Sequence, residues 1–277
     1  MTTVATKSGV GRLRPAPLRG PLLRGPLLGA VGVVGFLLIW ELTTRTGVLD
    51  ARYFPPASDV LVRFGEYAID MAFWRDVGAT MSAWAMGLAI AIVAGAVLGF
   101  LIGSSRLLER FTHSTIEFLR PIPSVALIPL AVLLFGTKVQ SELLLIVYAS
   151  IWQVLLQTIY GTKDVDPVAD MTARSYGLSR WHRIRYVVWP TALPYLMTGI
   201  RLAASVALIL AITAEMIIQT PGLGKQITLT REGGAATSMY ALIVATGLIG
   251  VAINLVMRYI ERRALAWHQS VRREAIG

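Results

Sequence analysis

Residues 77–105 read VGATMSAWAMGLAIAIVAGAVLGFLIGSS, a run that contains no Asp, Glu, Lys or Arg. A helix rises about 1.5 Å per residue, so about 20 mostly apolar residues cross the roughly 30 Å hydrocarbon core of a bilayer. This run is therefore long enough to span a membrane as one helix. Further charge-free runs occur along the chain, and together they predict a membrane protein built from helices.

The composition of the whole chain agrees with this interpretation. Of its 277 residues, 55% are hydrophobic and only 15% are charged, and the mean hydropathy is +0.62. Soluble domains carry about 25% charged residues. This chain has too few charges to cover a globular surface, which disfavours a soluble enzyme and a disordered chain. The sequence contains no cysteine, which excludes disulfides, thiolate metal sites and cysteine nucleophiles.

We predict six membrane-spanning helices. The fifth is the least clear, because the run between Arg201 and Glu215 is too short to span unless Glu215 lies inside the helix. The first is predicted to be an uncleaved span rather than a signal peptide, since its apolar core exceeds roughly 15 residues and no small-residue cleavage site follows. The predicted spans are 26–44, 80–103, 121–137, 142–161, 202–220 and 239–259. They divide the chain into a basic tail at 1–25, a six-span domain at 26–260 and a second tail at 261–277.

The basic residues fall mainly on one side of the predicted membrane. With six spans, both termini share a side with the loops 104–120 and 162–201, and this side carries 19 of the 26 Lys and Arg residues. Lys and Arg accumulate in cytoplasmic loops, so we expect both termini in the cytoplasm. Most of the net charge of +10 then reflects orientation in the membrane rather than nucleic-acid binding.

Small residues recur at every fourth position of two predicted spans. Such rows allow close approach of a second helix, so we expect a packing face on the second span. In the fifth span the row leads to Glu215, which we expect to point toward other helices, as ionisable residues in membranes usually do. The packing row of the second span is Gly87, Ala91, Gly95, Gly99 and Gly103, and that of the fifth is Ala203, Ala207 and Ala211.

The segment 162–200 is the longest predicted cytoplasmic loop. The run Asp164-Val165-Asp166-Pro167 is a helix N-cap signal, and Gly177 ends this helix. Ser179 is the predicted cap of a second short helix, before Pro190 and Pro194 mark the turn into the fifth span. Two short helices around a glycine would form a compact knob for a soluble partner. The same residues suit an interfacial connector whose arginines and tryptophans bind lipid headgroups.

This loop resembles the coupling loop of ABC importer membrane subunits, which has the pattern Glu-Ala-Ala, three residues, Gly, nine residues and Ile-x-Leu-Pro. Here Met171-Thr172-Ala173 precede Gly177, and the pattern closes with Val187-Val188-Trp189-Pro190. The resemblance covers about 36–260 and is to the nitrate, sulfonate and taurine permease branch. It extends to Phe54-Pro55-Pro56, to 190–203, to Ala214-Glu215-Met216 and to Pro221-Gly222-Leu223-Gly224. Met171 and Thr172 depart from the usual Glu and Ala, so the acidic contact is either lost or supplied by Asp170.

The resemblance implies an all-α integral membrane protein with the type I ABC importer permease fold, in the bacterial cytoplasmic (inner) membrane. It implies a homodimer that contacts lipid, cytoplasmic ABC ATPase subunits that bind ATP and Mg²⁺, and an extracytoplasmic binding protein. That protein would deliver a small solute resembling a sulfonate, taurine, nitrate or a vitamin precursor. The chain would be a transport subunit, not an enzyme, without a cofactor or metal of its own.

Site residues follow from this resemblance and from the predicted helices. The ATPase-coupling candidates are Asp170, Met171, Thr172, Ala173, Ser175, Gly177, Ser179, Arg180, Trp181 and Pro190. The candidates for the translocation path or its gate are Glu215, Tyr148, Trp152 and Gln153, although Glu215 also suits a structural role.

Two alternatives have weaker support in the sequence. An autonomous secondary transporter or channel would use intramembrane charges for ion coupling, and only Glu41 and Glu215 qualify. A phosphate-binding loop at Gly222-Leu223-Gly224-Lys225 lacks the first required Gly and the final Ser or Thr. The three histidines, His113, His182 and His268, are far apart and lack helical metal-pair spacing.

Overall fold

The computed structural model describes residues 24–267, with side chains from residue 27 onward. The predicted tail at 1–25, apart from its last two residues, and residues 268–277 of the second tail lie outside this part. All regular structure in the described part is helical. The helices are α1 (Arg24–Arg45), α2 (Ala57–Ile69), α3 (Met71–Gly103), α4 (Arg106–Leu119), α5 (Ile128–Phe135), α6 (Val139–Lys163), α7 (Pro167–Ser175), α8 (Arg180–Arg183), α9 (Trp189–Ile218), α10 (Leu223–Glu232) and α11 (Ala236–Ala264).

The prediction of an all-helical membrane protein is confirmed. In the described part, five helical stretches are long and apolar enough to cross a membrane, and a sixth span arises if one bent pair counts as a single crossing. The five stretches contain α1, α3, α6, α9 and α11. The predicted spans 26–44, 142–161 and 239–259 correspond to α1, α6 and α11 within a few residues.

The third span differs from its prediction as one helix at 121–137. The structure has α4 and a second helical piece, Ser124–Phe135, which pass the length test only together and are bent by 84°. The physical reason is the pair Pro121 and Pro123, because proline lacks a backbone donor and disfavours helix in the residue before it.

Two spans extend beyond their predicted limits. The second was predicted from residue 80, but α3 begins at Met71, where the carboxylate of Asp70 accepts a hydrogen bond from the N–H of Ala72 at 2.9 Å. The fifth was predicted from residue 202, but helix continues from Arg180 to Ile218. Charges near a helix end can reach the membrane surface, so a charge-free run underestimates the length of a span.

The predicted start of a second helix with Ser179 as its cap is confirmed, since its hydroxyl accepts a hydrogen bond from the N–H of His182. The predicted turn at Pro190 and Pro194 is wrong. α8 continues through a π-helical segment, Ile184–Val188, directly into α9. Pro190 lies in the first turn of α9 and Pro194 lies inside the helix. The hydroxyl of Thr191 donates to the carbonyl of Val187 at 2.9 Å, and such local adjustments accommodate proline in membrane helices.

α6 is the central helix, packed along α3 on one side and α9 on the other. Its side chains Leu145, Ile146 and Val154 are fully buried, as is the alanine row of α9 that was predicted to face other helices. α10 is a short helix that packs against α9, α11 and α3. It follows Ile218, the end of α9 opposite the 162–200 loop.

The glycine row of α3 lies against α6. A Cβ atom at Gly95 would lie 2.8 Å from the Cβ of Val154, and one at Gly99 would lie 2.7 Å from the Cβ of Thr158. Gly87 and Gly103 face Ile146 and Thr162 in the same way, and Ala91 is fully buried. Glycine at these positions therefore allows α3 and α6 to pack at close distance.

Candidate functional site

The loop after α6 is built on α7, whose two ends are both capped. Asp166 accepts a hydrogen bond from the N–H of Val168 at 2.8 Å, which satisfies one of the free donors of the first turn. At the other end Gly177 has a φ of +72°, and the N–H of Leu178 donates to the carbonyl of Ala173 at 3.0 Å. This is a Schellman closure, and it reverses the chain toward α8.

The side chain of Asp170 connects α7 to α8. Its Oδ1 accepts hydrogen bonds from Nε of Arg183 at 2.8 Å and from Nη2 at 2.5 Å, and its Oδ2 accepts one from Arg174. Arg183 first, and then Arg174, hold the pKa of the Asp170 carboxyl below its ordinary value. Asp170 is therefore occupied within the loop and is not free to supply the acidic contact considered above.

The remaining coupling candidates divide into exposed and covered side chains. Met171 is 59% exposed and Trp181 is 71% exposed, and Tyr176 between them is 81% exposed. The structure brings these residues together on one loop, while Ala173 is buried and Pro190 is half-buried. The other exposed candidates are Thr172, Ser175, Gly177, Ser179 and Arg180.

Two of the path candidates lie together on α6. The rings of Tyr148 and Trp152 meet edge to face with centroids 5.8 Å apart, and both line an open apolar groove of about 800 Å³ with residues of α5. The hydroxyl of Tyr148 donates to the carbonyl of Leu119 at 2.6 Å and so holds the end of α4. Gln153 is placed elsewhere, where the backbone of α9 approaches at Gly199.

Glu215 is fully buried and receives two hydrogen bonds on its Oε2 atom. The hydroxyl of Thr80 donates at 3.0 Å, and the N–H of Gly224, in the first turn of α10, donates at 2.7 Å. The same Thr80 oxygen accepts from the N–H of Leu223 at 3.0 Å. Glu215 and Thr80 thus cap the N-terminus of α10, and Gly222 allows the backbone to pass directly over the carboxylate.

Sequence reasoning missed a second buried carboxylate near this end of the bundle. Glu142, in the first turn of α6, is 1% exposed and accepts a hydrogen bond from the hydroxyl of Thr220 at 3.0 Å. Its position at the boundary of a charge-free run made it appear to be a surface residue. Within the described residues, the Oε1 atoms of Glu142 and Glu215 are buried without a hydrogen-bond partner.

Among residues 24–267, no group of three or more His, Asp or Glu side chains could hold a metal ion. His113 lies 3.4 Å from Glu117 on the same helix, and His182 lies beside Ser179. His268 falls outside the described residues.

The helical bundle, with its loop between α6 and α9, is similar to solved structures of transporters. A similar fold occurs in the inward-facing MetNI methionine ABC transporter, at 18% identity and a TM-score of 0.61 over 69% of this chain and 94% of that one. It also occurs in a bacterial ABC transporter that imports the acidic polysaccharide alginate, at 14% identity and a TM-score of 0.60 over 86% and 99%. These likenesses show that the chain shares its fold with membrane-spanning chains of ABC transporters.

The sequence comparison defines the family. Residues 87–265 match the model of the binding-protein-dependent transport system inner membrane component, and the chain belongs to this family. The taurine transport system permease protein TauC of Escherichia coli (strain K12) is 29% identical over 91% of this chain and 94% of its own length. A putative aliphatic sulfonates transport permease protein, SsuC of Bacillus subtilis (strain 168), is 27% identical over 96% and 95%. The bicarbonate transport system permease protein CmpB of Synechococcus elongatus is 26% identical over 87% and 90%.

The chain is therefore a multi-pass membrane protein and a permease subunit of an ABC importer, a transport component rather than an enzyme. This agrees with the resemblance on which the sequence-based expectation rested.

Proposed function

We propose that this permease forms the path for a small solute with an anionic group, delivered from outside the cytoplasm by a binding protein. The relatives named above carry taurine, aliphatic sulfonates or bicarbonate. These solutes share small size and a charged oxygen-bearing group. The proposal includes sulfonate, taurine, nitrate and vitamin-precursor-like solutes as candidates, and it assigns the choice among them mainly to the binding protein.

The proposal rests mainly on the α7–α8 loop, which is the part of the segment 162–200 that contains α7 and α8. The backbone of this loop is ordered, and several of its large side chains are exposed. Its backbone is fixed by two caps and by the ion pair of Asp170 with Arg183, while the side chains of Met171, Tyr176 and Trp181 are exposed. An ordered helix that leaves large apolar side chains in water suits a protein partner. We propose that this loop docks on a cytoplasmic ABC ATPase, which binds ATP and Mg²⁺ and drives transport.

The proposal extends to the orientation and the assembly. The side of the membrane that holds the loop carries 19 of the 26 basic residues, which supports a loop and two termini in the cytoplasm of a cell with this protein in its inner membrane. Two permease subunits would face each other as a homodimer around the path. The domain organisation is then a six-span domain at 26–260 between two cytoplasmic tails.

We propose a structural role for Glu215 in the transporter. Its contacts with Thr80 and Gly224 hold α10 against the bundle at the side opposite the ATPase. Because α10 connects the last two spans, its position determines how they close over the path. Tyr148 and Trp152 remain the path-lining candidates, and their groove is apolar.

Reconstitution tests this function directly. The permease is purified with the ABC ATPase expressed with it and placed in proteoliposomes with the corresponding binding protein. We expect uptake that requires ATP and the binding protein, and no ATP hydrolysis by the permease alone. Uptake by the permease without ATPase, driven by a proton or sodium gradient, would contradict the proposal and support an autonomous transporter.

A further inference from the structure

The acidic and basic side chains of the α7–α8 loop differ in whether they have partners within the chain. The loop begins with Asp164 and Asp166 and contains Asp170, and each of these carboxylates accepts a hydrogen bond from within the chain. Asp164 accepts one from the hydroxyl of Tyr195 at 2.7 Å, and Asp166 caps α7. Asp170 is paired with two arginines. Every acid of the loop therefore has an internal partner.

The arginines divide into paired and unpaired groups. Arg174 and Arg183 share the carboxylate of Asp170. Arg180 and Arg185 are exposed and form no ion pair with any residue of the described part, although Arg185 lies over the ring of Tyr186 at 5.9 Å. The positive charge without an ion-pair partner in the described part therefore lies at the α8 end of the loop.

Arg180 also lines a cleft. Together with Asp170 and Arg183 it borders a cavity of about 580 Å³ between the loop and the cytoplasmic ends of α3 and α6, at Ser104 and Thr162. An unpaired guanidinium at the edge of such a cleft is suited to a carboxylate that enters it, because arginine binds carboxylates with two parallel hydrogen bonds.

The loop also exposes large apolar side chains. Val168 and Met171 are 64% and 59% exposed, and their spacing of three residues places them on one side of α7. Tyr176 and Trp181 are exposed beside Gly177. Aromatic side chains and methionine are enriched at the centres of protein interfaces. No acidic side chain in this group is available to a basic partner.

We infer that the ATPase groove that receives this loop is apolar at its floor and carries a carboxylate that pairs with Arg180. This inference rests on the proposed docking of the loop on an ABC ATPase and names the chemistry of the surface that fits it. The partner surface is thus acidic where it meets α8, not basic.

A lipid surface fits the loop less well. α7 has nine residues and a length of about 13 Å, with Asp164 and Asp166 at its start and Arg180 beyond its end. A uniformly anionic bilayer would attract one end of the loop and repel the other, whereas a protein groove can present acids only where Arg180 lies. This difference favours the protein partner.

The test measures how much ATPase remains bound to the permease after purification of the complex. Arg180→Glu is compared with Arg258→Glu, which reverses another exposed arginine, near the end of α11 that the proposal places in the cytoplasm. We expect Arg180→Glu to reduce bound ATPase about tenfold or more, because like charges across an interface cost several kcal/mol, and Arg258→Glu to change it less than about twofold. Unchanged melting temperature and elution volume of each permease variant verify folding.

Two further variants make the result decisive. In the ATPase, replacing the carboxylate that pairs with Arg180 by Arg should restore binding to Arg180→Glu. In the permease, Met171→Glu should weaken binding of the unmodified ATPase, because it places a carboxylate against the apolar floor of the ATPase groove. Tighter binding of Met171→Glu, or undiminished binding of Arg180→Glu, would overturn the inference while leaving docking intact.

Two other outcomes distinguish a failure of the inference about Arg180 from a failure of the proposed function. If Arg180→Glu lost ATPase only in nanodiscs containing anionic lipid and not in neutral ones, the arginine would act on lipid, and the inference would be overturned. If the unmodified permease bound no ATPase at all, the proposed function itself would fail, and the inference with it.

Discussion

Arg183 donates two hydrogen bonds to a single carboxylate oxygen of Asp170, at 2.8 and 2.5 Å, across the chain reversal at Gly177. Asp170 belongs to α7, and Arg183 belongs to a helical stretch that continues without interruption to Ile218. We therefore expect a displacement of α7 by a bound partner to be transmitted to the fifth span through this ion pair. We expect the loop and the span to move together less closely when the pair is broken.

Breaking the pair should uncouple the two movements. We expect Asp170→Asn to keep ATPase bound but to lower the amount of solute transported per ATP hydrolysed. The exchanged pair Asp170→Arg with Arg183→Asp should recover part of this ratio, because the attraction is restored with opposite sign. Uptake and phosphate release measured in the same proteoliposomes give the ratio. An unchanged ratio in Asp170→Asn would show that the pair does not transmit movement.

The ion pair also predicts a pH dependence for the loop. Arg183 and Arg174 hold the pKa of Asp170 below its ordinary value, so the folded loop binds this proton less readily than the unfolded loop. The stabilisation is complete at neutral pH and is lost as the pH falls below about 4 toward the lowered pKa. Hydrogen exchange of the α7 amides should accelerate over this range, and the acceleration should be absent in Asp170→Asn.

The contact of α3 with α6 predicts a strong effect of adding one methyl group. In Gly99→Ala the new Cβ would lie 2.7 Å from the carbonyl oxygen of Leu155, so the two helices must separate. We expect a loss of about 1–3 kcal/mol, typical of overpacking, and a lower melting temperature in detergent. Gly78→Ala is the matched control on the same helix, because no atom lies within 4 Å of its Cβ position. Equal melting temperatures for the two variants would contradict the close contact.

The cap on α10 predicts that Glu215 acts through hydrogen bonding. Glu215→Ala leaves the N–H of Gly224 without its acceptor, and an unsatisfied buried group costs about 1–3 kcal/mol. Glu215→Gln retains an acceptor oxygen, so we expect it to resemble the parent protein in melting temperature and in protease resistance of the 219–235 segment. Thr80→Val should resemble Glu215→Ala. Full stability of Glu215→Ala would exclude the capping role.

Much of the membrane architecture was predictable, because burial in lipid removes charges from long stretches of sequence. The extents of helices were less predictable. Arg75 and Asp76 lie inside α3, near its end, and a count of charge-free residues cannot distinguish a charge outside a helix from one that reaches the membrane surface from within it. The bend near Pro121 was signalled by proline, but its angle depends on packing against other helices.

The buried carboxylates show a second limit of prediction from sequence. Glu215 was identified because it continues a row of alanines, which is a local pattern. Glu142 has no such pattern, and its hydrogen-bond partner, Thr220, is distant in sequence. Likewise, Asp170 was predicted as a contact for a partner, whereas the folding of Arg183 back onto α7 occupies its carboxylate.

The central claim is that the α7–α8 loop docks on an ATPase, and Gly177 tests it most directly. Gly177→Val places a β-branched residue at a φ of +72°, and Gly136→Val does the same at a φ of +69° at the end of α5. Both positions are open, since no atom lies within 4 Å of either Cβ position, so backbone strain is the shared effect. The measurement is the ATPase retained by each purified variant. We predict a large loss for Gly177→Val and parental retention for Gly136→Val; equal retention by both variants would contradict the docking of this loop.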